Sequence, residues 1–187
     1  MNVDQKQVMD KIQRTATIGI CLSTIAAGMG LVFIFYVLAW AIRDQAALAT
    51  DLSSQLDLSQ PVNSLTQMQA IIATSIWIIT DILGVVMLMT IRQLFVGIKT
   101  IGIFTQLSAL QLRRIGWLLF SLGPVSMVLN AVTGSLMRYW AESTKISVSV
   151  SLEDADVYAI VIGLVIVAVG HIMVSAAQLS EEHKAIV

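Results

Sequence analysis

Four apolar runs, Ala16–Ile42, Ala70–Ile91, Ile115–Met137 and Val157–Leu179, dominate the chain. A helix needs about 20 mostly apolar residues to cross a hydrocarbon core about 30 Å thick, and each run reaches that length. A chain of 187 residues that is 57% hydrophobic and only 12% charged cannot wrap such runs in a polar surface; soluble proteins average about 25% charged residues. The expected fold is therefore an all-α integral membrane domain over residues 1–187, a four-transmembrane-helix bundle. Lys6, Lys11 and Arg14 precede the first run, and Ala39-Trp40-Ala41 resembles a cleavage site. Signal-peptide apolar regions are only about 7–15 residues long, so the run reads as a retained anchor.

Positive residues set orientation, because basic loops stay on the cytoplasmic side during insertion. Lys6, Lys11, Arg14, Arg92, Lys99, Arg113, Arg114 and Lys184 fall on one side, against Arg43, Arg138 and Lys145 on the other. Both termini are expected in the cytoplasm. Trp40, Trp140, Tyr139 and Tyr158 then sit near the outer boundary and Trp117 near the inner one, where amphipathic rings favour the headgroup zone. The first outer loop, Arg43–Gln69, is polar and broken by Pro61, and reads as an ordered turn region or a mobile loop. In the second, Ile146–Leu152 alternates strictly between apolar residues and Ser, the period of a half-buried strand. A lone strand leaves its backbone unpaired, so Leu52–Leu58 is its expected partner in a small extracytoplasmic β element.

In lipid, helices meet through small and weakly polar residues, since apolar side chains gain nothing by leaving the acyl chains. The inward stripes are expected at Thr17, Cys21, Thr24 and Gly28; at Thr74, Asp81 and Gly84; at Gly116, Gly123, Ser126, Asn130 and Gly134; and at His171, Ser175 and Gln178. They serve either as plain packing seams or as intramembrane polar sites, with Asn130 and Gln178 the amides among them. Pro124 is expected to kink the third span, with neighbouring hydroxyls satisfying the freed carbonyl. Asp81 stands near mid-membrane, where an ionised carboxylate costs about 2.5–3.5 kcal/mol. Counted along the spans it lies about 16 Å below the outer boundary, His171 about 21 Å and Asn130 about 10 Å. That depth match predicts an Asp81–His171 pair, either a structural clamp or a proton-responsive switch.

Little other chemistry is written in the chain. It contains no HExxH, CxxC, P-loop or GxSxG pattern, and Gly28-x-Gly30 lacks the rest of a dinucleotide fingerprint. Cys21 is the single cysteine, so it forms no internal disulfide. Glu181-Glu182-His183 offers three donors without a fourth and reads as a solvated tail rather than a metal site. A net charge of −1 gives no general basic surface for nucleic acid. No catalytic, cofactor or metal residues are expected, and the chain reads as non-enzymatic.

Two stretches carry a family resemblance. Leu94-Phe95, Ile98-Lys99, Gly102-Ile103-Phe104-Thr105 and Leu110-Gln111-Leu112-Arg113-Arg114-Ile115-Gly116 form the first; Ser151-Leu152-Glu153-Asp154 and Leu179-Ser180-Glu181-Glu182 bracket the second. Together they resemble the bacterial membrane proteins grouped as domain of unknown function 2975. The chain departs from the family pattern at Gln106-Leu107-Ser108 and at Ala185-Ile186-Val187. The resemblance implies a multi-pass protein of the bacterial cytoplasmic (inner) membrane. Several relatives are encoded beside a small helix-turn-helix regulator of the Xre type, which implies such a partner.

A docking surface for that partner is expected at Phe104, Thr105, Arg113 and Arg114, with Glu181 and Glu182 on the tail. There Thr105 would cap a short helix whose Leu107, Leu110 and Leu112 dip toward lipid. The plainer reading of the same segment is a connector lying on the membrane with its basic residues near anionic headgroups. The leading expectation is a regulatory or sensory membrane protein. Its alternatives are a transporter-like or proton-responsive module using Asp81 and His171, and a scaffold or homo-oligomer packed through the heptad-spaced Gly163, Gly170 and Ala177.

Overall fold

The computed structural model describes residues 3–55, 65–100, 105–142 and 154–186, with side chains over 11–54, 65–100, 105–140 and 154–179. All regular structure in the described residues is helical: α1 Val3–Arg43, α2 Gln45–Gln55, α3 Gln67–Thr100, α4 Gln106–Glu142 and α5 Asp154–Ile186. The four long helices are each long and apolar enough to cross a membrane, and only 17% of the residues in their most apolar windows are buried. The side chains left outside are Val32, Phe35, Ile172 and their like, which lipid accommodates without a covering partner. Hydroxyls along the spans bond their own helix: Thr17, Thr24 and Ser75 each donate to the carbonyl four residues back, at 2.7–2.8 Å.

Helix ends follow local chemistry. Thr66 and Gln69 form a reciprocal capping box at α3, with Thr66 N–H donating to Gln69 Oε1 at 2.9 Å and Gln69 N–H to Thr66 Oγ1 at 3.4 Å. Thr105 caps α4 as its position predicts, its Oγ1 accepting from Ser108 N–H at 3.3 Å. No separate short helix follows it, however. Leu107, Leu110 and Leu112 belong to the opening turns of the continuous α4, of which only Leu107 is exposed. Asp44 joins two helices: its N–H donates to Trp40 O at 2.9 Å, and its Oδ1 accepts from Ala47 N–H at 3.0 Å.

That cap starts α2 where a loop is expected. The Ala-rich Gln45–Gln55 propagates as helix and buries Leu48, Ala49, Leu52 and Ser53 on one face. Leu52–Gln55 is thus helical rather than a strand. Its expected partner, Ile146–Leu152, lies outside the described residues.

The chain divides into two compact units, Met1–Met29 with Val85–Ser121 and Ala159–Val187, and Gly30–Gly84 with Leu122–Tyr158. In the first, glycines let backbones touch. A Cβ on Gly163 would stand 2.5 Å from Phe120 N, one on Gly116 2.7 Å from Val167 N, and one on Gly170 3.0 Å from Arg113 Cα. Gly163 and Gly170, expected to face another protomer, therefore already pack α5 against α4. On the first unit's part of α1 the buried residues are Ala16, Ser23 and Ala27, with Gly19 against the Phe95 ring. The expected Thr17, Cys21, Thr24 and Gly28 stripe is exposed, one residue out of phase with the packing face. In the same way His171, Ser175 and Gln178 are exposed while Gly163, Val167 and Gly170 are buried. The α4 stripe stands where it is expected, with Gly116, Gly123 and Gly134 buried.

The second unit packs differently. Ala41, Leu48, Ala49, Leu52, Leu65, Ala70, Ala73 and Met137 form one buried cluster, flanked by the half-buried rings of Trp40, Trp77 and Trp140. Pro124 sits inside α4, which continues through it. Ser121 donates to Leu118 O at 2.8 Å, and Ser126 Oγ lies 2.8 Å from Gly123 O.

Candidate functional site

The second unit holds a cavity of about 380 Å³, within the range of small-molecule sites. Helical spacing builds its walls. Phe33, Val37 and Trp40 come from one face of α1, Thr74, Trp77 and Asp81 from one face of α3, and Ser126 and Asn130 from successive turns of α4. Helix α2 adds Leu48, Asp51 and Leu52. The described lining is mixed: apolar and indole side chains, two carboxylates, an amide and hydroxyls, with no Lys, Arg or His among the described residues.

Two polar atoms here are left without protein partners. Thr74 is 2% exposed, and its Oγ1 makes no hydrogen bond; Trp77 Nε1 is likewise buried and unpartnered. An unpaired buried donor or acceptor costs about 1–3 kcal/mol, so Thr74 and Trp77 each carry a destabilising polar atom. Ser126 is engaged, donating to Asp156 Oδ1 at the start of α5. Asp156 is itself 9% exposed, so this bond satisfies a buried carboxylate.

Of the residues expected to matter, Asp81 and Asn130 are brought together on this cavity. The expected Asp81–His171 pair draws its members from different units. Asp81 belongs to the second unit, while His171 belongs to the first, is exposed, and has its Nδ1 3.1 Å from Val167 O of its own helix. Equal depth along two helices fixes height but not the direction a side chain faces. Gln178 is exposed on α5.

At the expected docking surface, Arg114 is exposed, while Arg113 lays its Cα and Cβ over Gly170. Phe104 lies outside the described residues, as do the side chains of Glu181 and Glu182. A basic groove in the first unit is lined by Gln13, Arg14, Thr17, Ile18 and Lys99. Trp77 and Asp51 were not expected at a site. Trp77 falls between Thr74 and Asp81 at i+3 and i+7, so its spacing carried the signal and its bulk hid it.

A family described as "Protein of unknown function (DUF2975)" matches residues 21–187, and the chain belongs to that family. No curated protein and no solved structure matches the chain. With four spanning helices and this membership, the chain is a multi-pass membrane protein.

Proposed function

We propose that this DUF2975 member is a non-enzymatic sensor of the bacterial cytoplasmic membrane that reports the state of its Asp81 cavity to a cytoplasmic partner. The observation that carries this reading is the cavity: a small, polar-lined space holding an intramembrane carboxylate and two buried polar atoms without protein partners. Ionisable residues within spans mark functional sites by default. In this reading both termini and the loop between α3 and α4 face the cytosol, because the basic residues Lys6, Lys11, Arg14, Lys99, Arg113, Arg114 and Lys184 cluster at those chain positions. The partner is a small helix-turn-helix regulator of the Xre type, met by Arg14, Lys99 and Arg114, whose side chains are exposed.

Affinity capture of the tagged chain from mild detergent tests the reading. It should recover that regulator, lose it when Lys99 and Arg114 are both changed to Glu, and recover an altered amount when Asn130→Leu narrows the cavity. A cysteine placed at Lys99 in a Cys21→Ser background should be labelled only from the cytosolic side. Labelling from outside, or capture that yields no DNA-binding protein, overturns the proposal.

A further inference from the structure

We infer that the groove between α1 and α3 in the first unit seats an anionic phospholipid, with its headgroup on Arg14 and Lys99 and an acyl chain along α1. The inference goes beyond the sensor reading and uses neither its cavity nor its partner. Arg14 enters the groove from α1 and Lys99 from α3. Both stand where the spans end: Lys99 in the last turn of α3, and Arg14 two residues before the apolar run that starts at Ala16. Both are exposed, and neither has a hydrogen bond or ion pair with a described residue. Lys11, Arg92, Arg113 and Arg114 are the other Lys and Arg of this unit whose side chains are described, and its described side chains include no Asp or Glu. Cations without counter-ions at a span end suit an anion, and basic pockets between spanning helices hold the headgroups of anionic lipids.

The surface next to the cations separates a lipid from a free anion. Ile18 lines the groove, and Ile18, Leu22 and Ile25, at i, i+4 and i+7, form an exposed apolar stripe that leads along α1 from the groove into the span. A soluble anion gains nothing from that stripe, whereas an acyl chain lies along it while its phosphodiester meets the two cations. Gln13 adds an exposed amide that can donate to a phosphate oxygen. Zwitterionic lipids carry the same phosphodiester, but their ammonium group would stand beside Arg14 and Lys99, so an anionic headgroup is preferred. A regulator reaching for these two residues would have to displace it.

Cys21, the single cysteine, is exposed on the same side of α1 between Ile18 and Ile25, and so takes a reporter without any substitution. The full chain, labelled there with bimane, is placed in nanodiscs of phosphatidylcholine containing graded amounts of phosphatidylglycerol or phosphatidylcholine brominated in the acyl chain. Quenching by the anionic lipid is expected at a mole fraction about 25-fold lower than by the zwitterionic one, roughly fivefold for each cation. Arg14→Gln and Lys99→Gln should each leave a preference of about fivefold, and the double variant should have none. Unchanged quenching by brominated phosphatidylcholine shows that each variant is folded. Arg114→Gln, exposed but outside the groove, should keep the full preference. Equal quenching by both lipids, or a preference that survives the double variant, overturns the proposal. So does a loss in Arg114→Gln as large as in Lys99→Gln, which would reduce the preference to general charge. Quenching by neither lipid would show this face covered by protein, and displacement of the brominated lipid by millimolar glycerophosphate would make a free phosphate ester the occupant; each overturns it as well. The assay contains no regulator, so its failure leaves the sensor reading standing.

Discussion

The two units solve helix packing in lipid by different means. In the first, Gly116, Gly163 and Gly170 bring the α4 and α5 backbones into direct contact, with no room for even a methyl group. In the second, alanines, leucines and three tryptophans gather around α2, and a cavity with unpartnered polar atoms remains beside them. Glycine seams exchange side-chain volume for proximity, which suits a rigid element. A site must instead keep volume and polar atoms in reserve, and it does so at a cost in stability.

The largest test of this contrast is Gly163→Ala. Its Cβ would meet the Phe120 backbone, which cannot swing aside as a side chain end can. A loss of about 1–3 kcal/mol, in the upper part of that range, is expected from thermal unfolding in detergent. Thr66→Ala probes the second unit by removing one arm of the α3 capping box, at a cost of about 1 kcal/mol read in the same assay.

Gly28→Ala sharpens the comparison from the opposite side. Nothing lies within 4 Å of its Cβ position, so a gain of about 0.5–1 kcal/mol is expected from helix propensity and a stiffer unfolded chain. If Gly163→Ala proves as harmless as Gly28→Ala, the glycine seam is not what holds the first unit. The smallest effect belongs to Thr24→Val, which removes the acceptor of the 3.1 Å bond from Arg92 Nε. A loss of about 0.6 kcal/mol is expected, the mean for interhelical polar contacts in membranes.

Hydropathy made the four spans legible because bilayer thickness fixes their length whatever their packing. The packing face of α4 was legible too, since its glycines cluster on one side. On α1, small residues occupy two adjacent faces. Ala16, Ser23 and Ala27 are buried, while Thr17, Cys21, Thr24 and Gly28 are exposed, and a step of one residue turns the helix about 100°. The same step separates buried Gly170 from exposed His171. Helix α2 was hidden by the polarity of its loop, although Asp44 followed by Gln45-Ala46-Ala47-Leu48-Ala49 has the form of a capped helix start. The cavity needed α2 in place and could not be read before it.

Asp44 ties the end of α1 to the start of α2 with a single residue and bonds into both. No slack exists at that junction. A movement of Asp51 and Leu52 must either twist the last turn of α1 at Trp40 or rupture the cap, so whatever enters or leaves beside them is felt by the longest helix of the chain through a stiff elbow.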